Sequence, residues 1–158
     1  MTTIAFNRGV LAGDSMWSHG GIVSTYRTKI ARLKSGALIG FSGSNDSRPL
    51  IRLLQNVKRP DDLPLPKAFH EMQICSEALL ILPRGEIFVI GTVQETEENE
   101  EDSGVTPITL PFWAIGAGAH LALGAMDRGA SAADAVRTAR KFDINTAGRI
   151  HSLPLKRR

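Results

Sequence analysis

Two short apolar runs, Ile4 to Phe6 and Val10 to Ala12, flank the turn-forming insert Asn7-Arg8-Gly9. Runs of this length around a glycine-bearing insert predict a β-hairpin at the start of the chain. A hairpin doubles the chain back, so it carries Asp14 toward Thr2. Thr2 follows the initiator methionine, and its side chain is small enough for that methionine to be removed. Its hydroxyl and its freed amine would then belong to one residue, a nucleophile with a general base attached. A Met-Thr start is common in proteins without such chemistry, so the residues that follow must carry the argument.

The chain has 158 residues, which suits one domain, 1–158, with a single core. Its 42% hydrophobic and 22% charged content is ordinary for a globular protein, and no apolar run approaches the roughly 20 residues of a membrane-spanning helix. The N-terminus lacks the basic and apolar regions of a signal peptide. The single cysteine, Cys75, leaves no internal disulfide framework and agrees with a reducing cytoplasm; it reads as a small buried hydrophobe. The histidines at 19, 70, 120 and 151 have no companions at metal-ligand spacing, so no metal and no cofactor is expected. Residues 95–104 are strongly acidic without EF-hand spacing and read as a flexible, solvated loop. The basic tail 154–158 is the only feature favouring a nucleic-acid-binding module. There is no RNA-binding aromatic motif and no zinc-finger spacing, so no nucleic-acid partner is expected.

Along the chain, Ser15 to Gly21 reads as a strand end passing into a loop, and Tyr26 to Leu33 as a strand. Alternation there puts Lys29, Ala31 and Leu33 on one face. A lysine sharing a face with Ala and Leu either snorkels to water or is buried with a purpose. Lys34-Ser35-Gly36 turns the chain into an apolar strand, Ala37 to Ser42. Ser47-Arg48-Pro49 opens a helix, and Leu50, Leu53, Leu54 and Val57 recur at helical spacing. A proline-rich connection follows from Arg59 to Pro66, then a short helix over 67–74. Ser76 to Leu82 and Glu86 to Ile90, joined by Pro83-Arg84-Gly85, predict another hairpin. Phe112 to Ile115 is a strand, Ala119 to Arg128 a helix closed by Gly129, and Ser131-Ala132-Ala133-Asp134 a capping box. The second of these helices carries Ala135, Val136, Ala139 and Phe142, and a last strand runs from about Arg149 to Leu153. Gly116-Ala117-Gly118 lacks the third glycine and acidic residue of a dinucleotide loop.

The opening Thr2-Thr3, its short hairpin and the Gly13-Asp14-Ser15 step resemble the N-terminal nucleophile hydrolases of the proteasome β-subunit and HslV type. So do Ala-Ile-Gly-x-Gly at 114–118 and Asp143-Ile144-Asn145-Thr146-Ala147-Gly148. The resemblance covers nearly the whole chain and is weakest between Pro60 and Ser76. It implies an α+β fold, the four-layer α-β-β-α sandwich of two antiparallel sheets between helix layers. It also implies a threonine endopeptidase acting on peptides or unfolded proteins, with no cofactor, in homo-oligomeric stacked rings. Leu50 to Val57 and the final helices would supply ring contacts. The ending lacks the hydrophobic-Tyr-x docking signal for some ATPase unfoldases, which leaves an ATPase partner open.

By the same resemblance, Thr2 is the nucleophile, Lys29 the buried lysine beside it, and Asp14 its counter-charge. Gly43 offers a backbone N–H to the oxyanion, Asp143 and Thr146 orient the N-terminal amine, and Met16 and Phe41 lie near the substrate side-chain pocket. One departure stands out: Ala117 occupies a position where many proteasome β-subunits have serine. That departure keeps a second reading open, a catalytically silent, ring-forming scaffold or peptide-binding protein.

Overall fold

The first hairpin pairs β1, Thr3–Asn7, with β2, Val10–Gly13, in the register Ile4↔Gly13 to Asn7↔Val10. Only Arg8 and Gly9 remain in the turn, both at positive φ, 49° and 75°. Two such residues form the tight turn whose twist matches that of the strands it joins. This computed structural model describes residues 2–19, 22–43, 47–64, 76–91 and 104–156. The expected helix over 67–74, Cys75, the acidic loop up to residue 103 and the last two residues of the tail lie outside the described residues.

Two antiparallel sheets face each other. The first has the order β10-β1-β2-β11, with β10 at Phe112–Gly116 and β11 at His151–Pro154. The second has the order β5-β6-β7-β8-β9: Ile30–Arg32, Leu38–Gly43, Ser76–Ile81, Ile87–Ile90 and Val105–Ile108. The strand period of two sorts the side chains. Ile4, Phe6 and Leu11 point between the sheets, into a cluster with Ile30, Leu38, Leu79 and Ile81. Ala5 and Ala12 point the other way, under α2 (Ala119–Asp127) and α3 (Ala132–Phe142), where they pack with Ala122, Ala135 and Val136. On the far side, Ile39, Leu80 and Phe88 pack beneath α1, Arg48–Leu54. The result is the four-layer α-β-β-α sandwich. Among the described residues no helix is long and apolar enough to cross a membrane.

Prolines mark the borders of both sheets. β9 contains Pro107 and β11 contains Pro154, and each is an edge strand, where the missing N–H removes no ladder bond. The C-terminus of α2 closes as its sequence predicts. Gly129, at φ 96°, donates to Met126 O, and Ala130 donates to Ala125 O at 3.0 Å, the paired bonds of a Schellman cap.

Several local expectations change. The strand expected over Tyr26 to Leu33 is two elements. Tyr26 ends β4, Ile22–Tyr26, which pairs with β3, Met16–His19, as a separate ribbon, and β5 holds only three residues. β9 was not anticipated. Ser47 makes no side-chain cap, because its backbone is already helical (φ −77°, ψ −9°) where a capping hydroxyl needs an extended one. Of the four apolar residues assigned to α3, Ala135, Val136 and Ala139 are buried, whereas Phe142, the last residue of the helix, is 65% exposed. Leu50, Leu54 and Val57 are buried within the chain's own core, so these side chains are not available as ring contacts.

Candidate active site

Buried polar side chains gather at one end of the first sheet. Thr2, Thr3, Asp14, Ser15, Lys29 and Thr146 are each at most 5% exposed. They come from four places in the chain. Thr2 precedes β1 and Thr3 opens it, Asp14 and Ser15 leave β2, Lys29 precedes β5, and Thr146 lies in the turn after α3. Unpaired polar groups at such depth are costly. The side chains of all but Ser15, whose Oγ has no hydrogen-bond partner among the described residues, are bonded to one another or to the backbone, and those bonds define the site.

Lys29 connects them. Its Nζ donates to Thr2 Oγ1 at 2.6 Å and to both Asp14 oxygens, at 3.1 and 3.0 Å. Asp14 also accepts the backbone N–H groups of Thr3 at 2.9 Å, Met16 at 3.1 Å and Ala147 at 3.4 Å. The carboxylate therefore holds the lysine, the residue after Thr2 and the turn after α3 at once. Burial pulls the Lys29 pKa below its ordinary value of 10.5, and the attraction of Asp14 opposes that pull without cancelling it.

The second acidic anchor is Asp143, at the C-cap of α3. Its Oδ2 accepts from Thr146 Oγ1 at 2.6 Å and its Oδ1 from Asn145 N–H at 3.0 Å. Thr146 Oγ1 also lies 2.6 Å from Thr3 Oγ1. Sequence reasoning named Thr2, Asp14, Lys29, Asp143 and Thr146, and the fold brings all five within this network. It did not single out Thr3. Its signal was the doubled threonine of the opening.

Glycines make the close approach of strands possible. A Cβ at Gly116 would come 2.1 Å from Thr2 O and 2.9 Å from Ser42 Oγ, and one at Gly118 would come 2.2 Å from Thr3 Oγ1. Gly43, at φ 128°, is the last residue of β6 and pairs with Ser76. Phe41 N–H donates to Lys29 O at 2.9 Å, which continues the β5–β6 ladder and sets Phe41 across from Lys29. Phe41 is partly buried against the cluster under α1, and Met16 is buried beside Asp14. Among the described residues no group of three His, Cys, Asp or Glu is placed to hold a metal ion.

Solved structures share this architecture from end to end. HslV from Trypanosoma brucei superposes with a TM-score of 0.67 at 18% identity, over 96% of this chain and 97% of that one. The chain has the HslV fold. BPH from Thiobacillus denitrificans gives a TM-score of 0.62 at 20% identity, over 98% of both chains, and so does the same protein in complex with epoxomicin. No family profile and no curated protein matches the chain. Against the HslV-like frame, Ala117 sits in the turn between β10 and α2, next to the glycine that abuts Thr2.

Proposed function

We propose that this chain is a threonine-type endopeptidase whose nucleophile, Thr2, is freed by cleavage of the Met1–Thr2 bond. The reading is carried by one observation: a buried lysine, itself paired to a buried aspartate, donates to the Thr2 hydroxyl at 2.6 Å. A structural threonine has no need of an ammonium, and burying a charge is costly unless it has a purpose and a partner.

In this reading Thr2 Oγ1 attacks a peptide carbonyl while its proton passes to the freed α-amine. The positive charge of Lys29 disfavours a second cation nearby, which keeps the amine neutral and basic. The same ammonium stabilises the negative charge that builds on Oγ1. The Gly43 N–H receives the carbonyl oxygen as it becomes an oxyanion. The C–N bond then breaks, the leaving amine takes the proton, and water hydrolyses the threonyl ester to restore the hydroxyl. Phe41, across the ladder from Lys29, and Met16 line the pocket for the substrate side chain and favour small or apolar groups. The substrate is a peptide or unfolded protein, the setting cytoplasmic, and the working form a homo-oligomer of stacked rings, fed by an ATPase unfoldase if one is used.

A second reading, a silent ring-forming relative that binds peptides, is favoured by Ala117. The missing hydroxyl removes a hydrogen-bond partner for the amine or its water.

Intact mass decides between them. We expect the purified protein to have lost Met1 and to gain the mass of a covalent reagent directed at N-terminal threonine. Epoxomicin, bound by the Thiobacillus protein, should block that gain. Thr2→Ala should abolish both labelling and turnover, and Thr2→Ser should keep labelling. Full retention of Met1 in cells would rule the peptidase out.

A further inference from the structure

Thr3 is fully buried, and every polar atom of it has a partner in the site. Its N–H donates to Asp14 Oδ1 at 2.9 Å, its carbonyl accepts the Asp14 N–H at 3.2 Å, and its hydroxyl lies 2.6 Å from Thr146 Oγ1. The direction of that last bond follows from chemistry. Thr146 has one hydroxyl proton and directs it at Asp143 Oδ2, 2.6 Å away, because a carboxylate can only accept. Thr146 Oγ1 is then left as an acceptor, and Thr3 must be the donor. A one-way chain runs from Thr3 to Thr146 to Asp143.

We infer that Thr3 is a positioning residue for the proposed reaction, tying the peptide that carries Thr2 to both acidic anchors. Its N–H fixes that peptide to the Asp14–Lys29 pair, and its hydroxyl fixes it to Asp143 through Thr146. Thr2 Oγ1 is held against Lys29 only while the main chain behind it cannot rotate. Gly118 supports the arrangement by leaving the space: a side chain there would come 2.2 Å from Thr3 Oγ1 and 3.0 Å from Thr146 Oγ1. The inference rests on the peptidase reading, and the experiment separates the two.

Peptide hydrolysis is measured for the mature wild-type protein, Thr3→Val and Thr3→Ser, together with thermal stability. Valine keeps the shape of threonine and deletes the donor; serine keeps the donor and deletes the methyl. We expect Thr3→Val to lower kcat about 10- to 100-fold, the size of effect that misplacing a reacting atom by about 1 Å produces. KM should stay within about twofold, since substrate contacts are untouched. Thr3→Ser should recover most of kcat. Thr3→Val with unchanged kcat and a lower melting temperature would show a purely structural hydroxyl and overturn the inference. Should Thr3→Val not fold, Thr3→Cys, with its weaker thiol donor, takes its place: an intermediate kcat supports the inference and an unchanged one overturns it. A wild-type protein with Thr2 free and no turnover would overturn the peptidase reading itself, and Thr3's role with it.

Discussion

In the proposed peptidase, replacing Lys29 by methionine is expected to lower turnover by about 10²- to 10⁴-fold, the usual range for a group in the proton-managing role proposed for it. It should also cost about 3–5 kcal/mol of stability, because Asp14 is left as a buried charge without its partner. The Lys29 and Asp14 side chains are 2% and 0% exposed, so solvent cannot replace what is lost. The companion variant Lys29→Met/Asp14→Asn removes both charges together. Its amide oxygen can still accept from the Thr3 or Met16 N–H groups that Asp14 serves. The double variant should therefore recover about 2 kcal/mol relative to Lys29→Met, since leaving a charge buried costs more than removing the pair, while remaining inactive. Urea denaturation and peptide hydrolysis on the same preparations give both numbers. A Lys29→Met protein as stable as wild type would mean that the pair is not buried as described.

The depressed Lys29 pKa makes a further claim about pH. Between the lowered folded value and the ordinary 10.5, the unfolded chain binds the lysine proton more tightly than the folded one does. Unfolding therefore takes up a proton in that window, and stability rises as pH rises through it. Below the folded value both states are charged, and the folded state bears the full penalty. The difference in unfolding free energy between wild type and Lys29→Met should thus grow in favour of wild type toward pH 10.5. A flat or falling difference would show that Asp14 outweighs burial.

Much of the scaffold was legible because its signals are local. The Arg8-Gly9 and Pro83 to Gly85 turns sit between runs of strand period, and Ser131 caps α3 by accepting the Asp134 N–H at 3.1 Å. The cap departs from the full box, since Ser131 Oγ also donates to Asp134 Oδ2. β4 was hidden because Ile22, Val23 and Tyr26 are exposed, so no burial alternation marks it. β9 follows an acidic run and contains Pro107, which reads as a strand breaker unless the strand is known to be an edge. The candidate site residues are reached through resemblance and not through pattern. Lys29 shows why: its alternation fits a snorkelling lysine as well as a buried one, and only the opposing sheet supplies Thr2 and Asp14. Thr3 was less legible still. Its partner Thr146 lies 143 residues away, and an inward hydroxyl on the first residue of a strand leaves no local trace.

Gly116→Ala should be as damaging to the site as removing Lys29, although residue 116 contributes no side chain. Its φ of 91° lies where residues with a Cβ pay about 1–2 kcal/mol. The added Cβ would also meet the Thr2 carbonyl oxygen at 2.1 Å, a main-chain atom that cannot swing aside as a side chain does. Overpacking of this kind costs about 1–3 kcal/mol more. The strain is relieved most directly by pushing Thr2 away from β10, which moves its hydroxyl relative to Lys29. A shift of about 1 Å at a reacting atom can cost 100-fold in kcat. Gly85→Ala separates the two effects. Its φ of 102° imposes similar backbone strain, but its Cβ would meet nothing within 4 Å. We expect Gly85→Ala to lose about 1 kcal/mol, as the left-handed penalty alone implies, with kcat unchanged. Gly116→Ala should lose both stability and kcat. Equal kcat in the two variants would mean that the contact between β10 and Thr2 does not hold the proposed nucleophile in place.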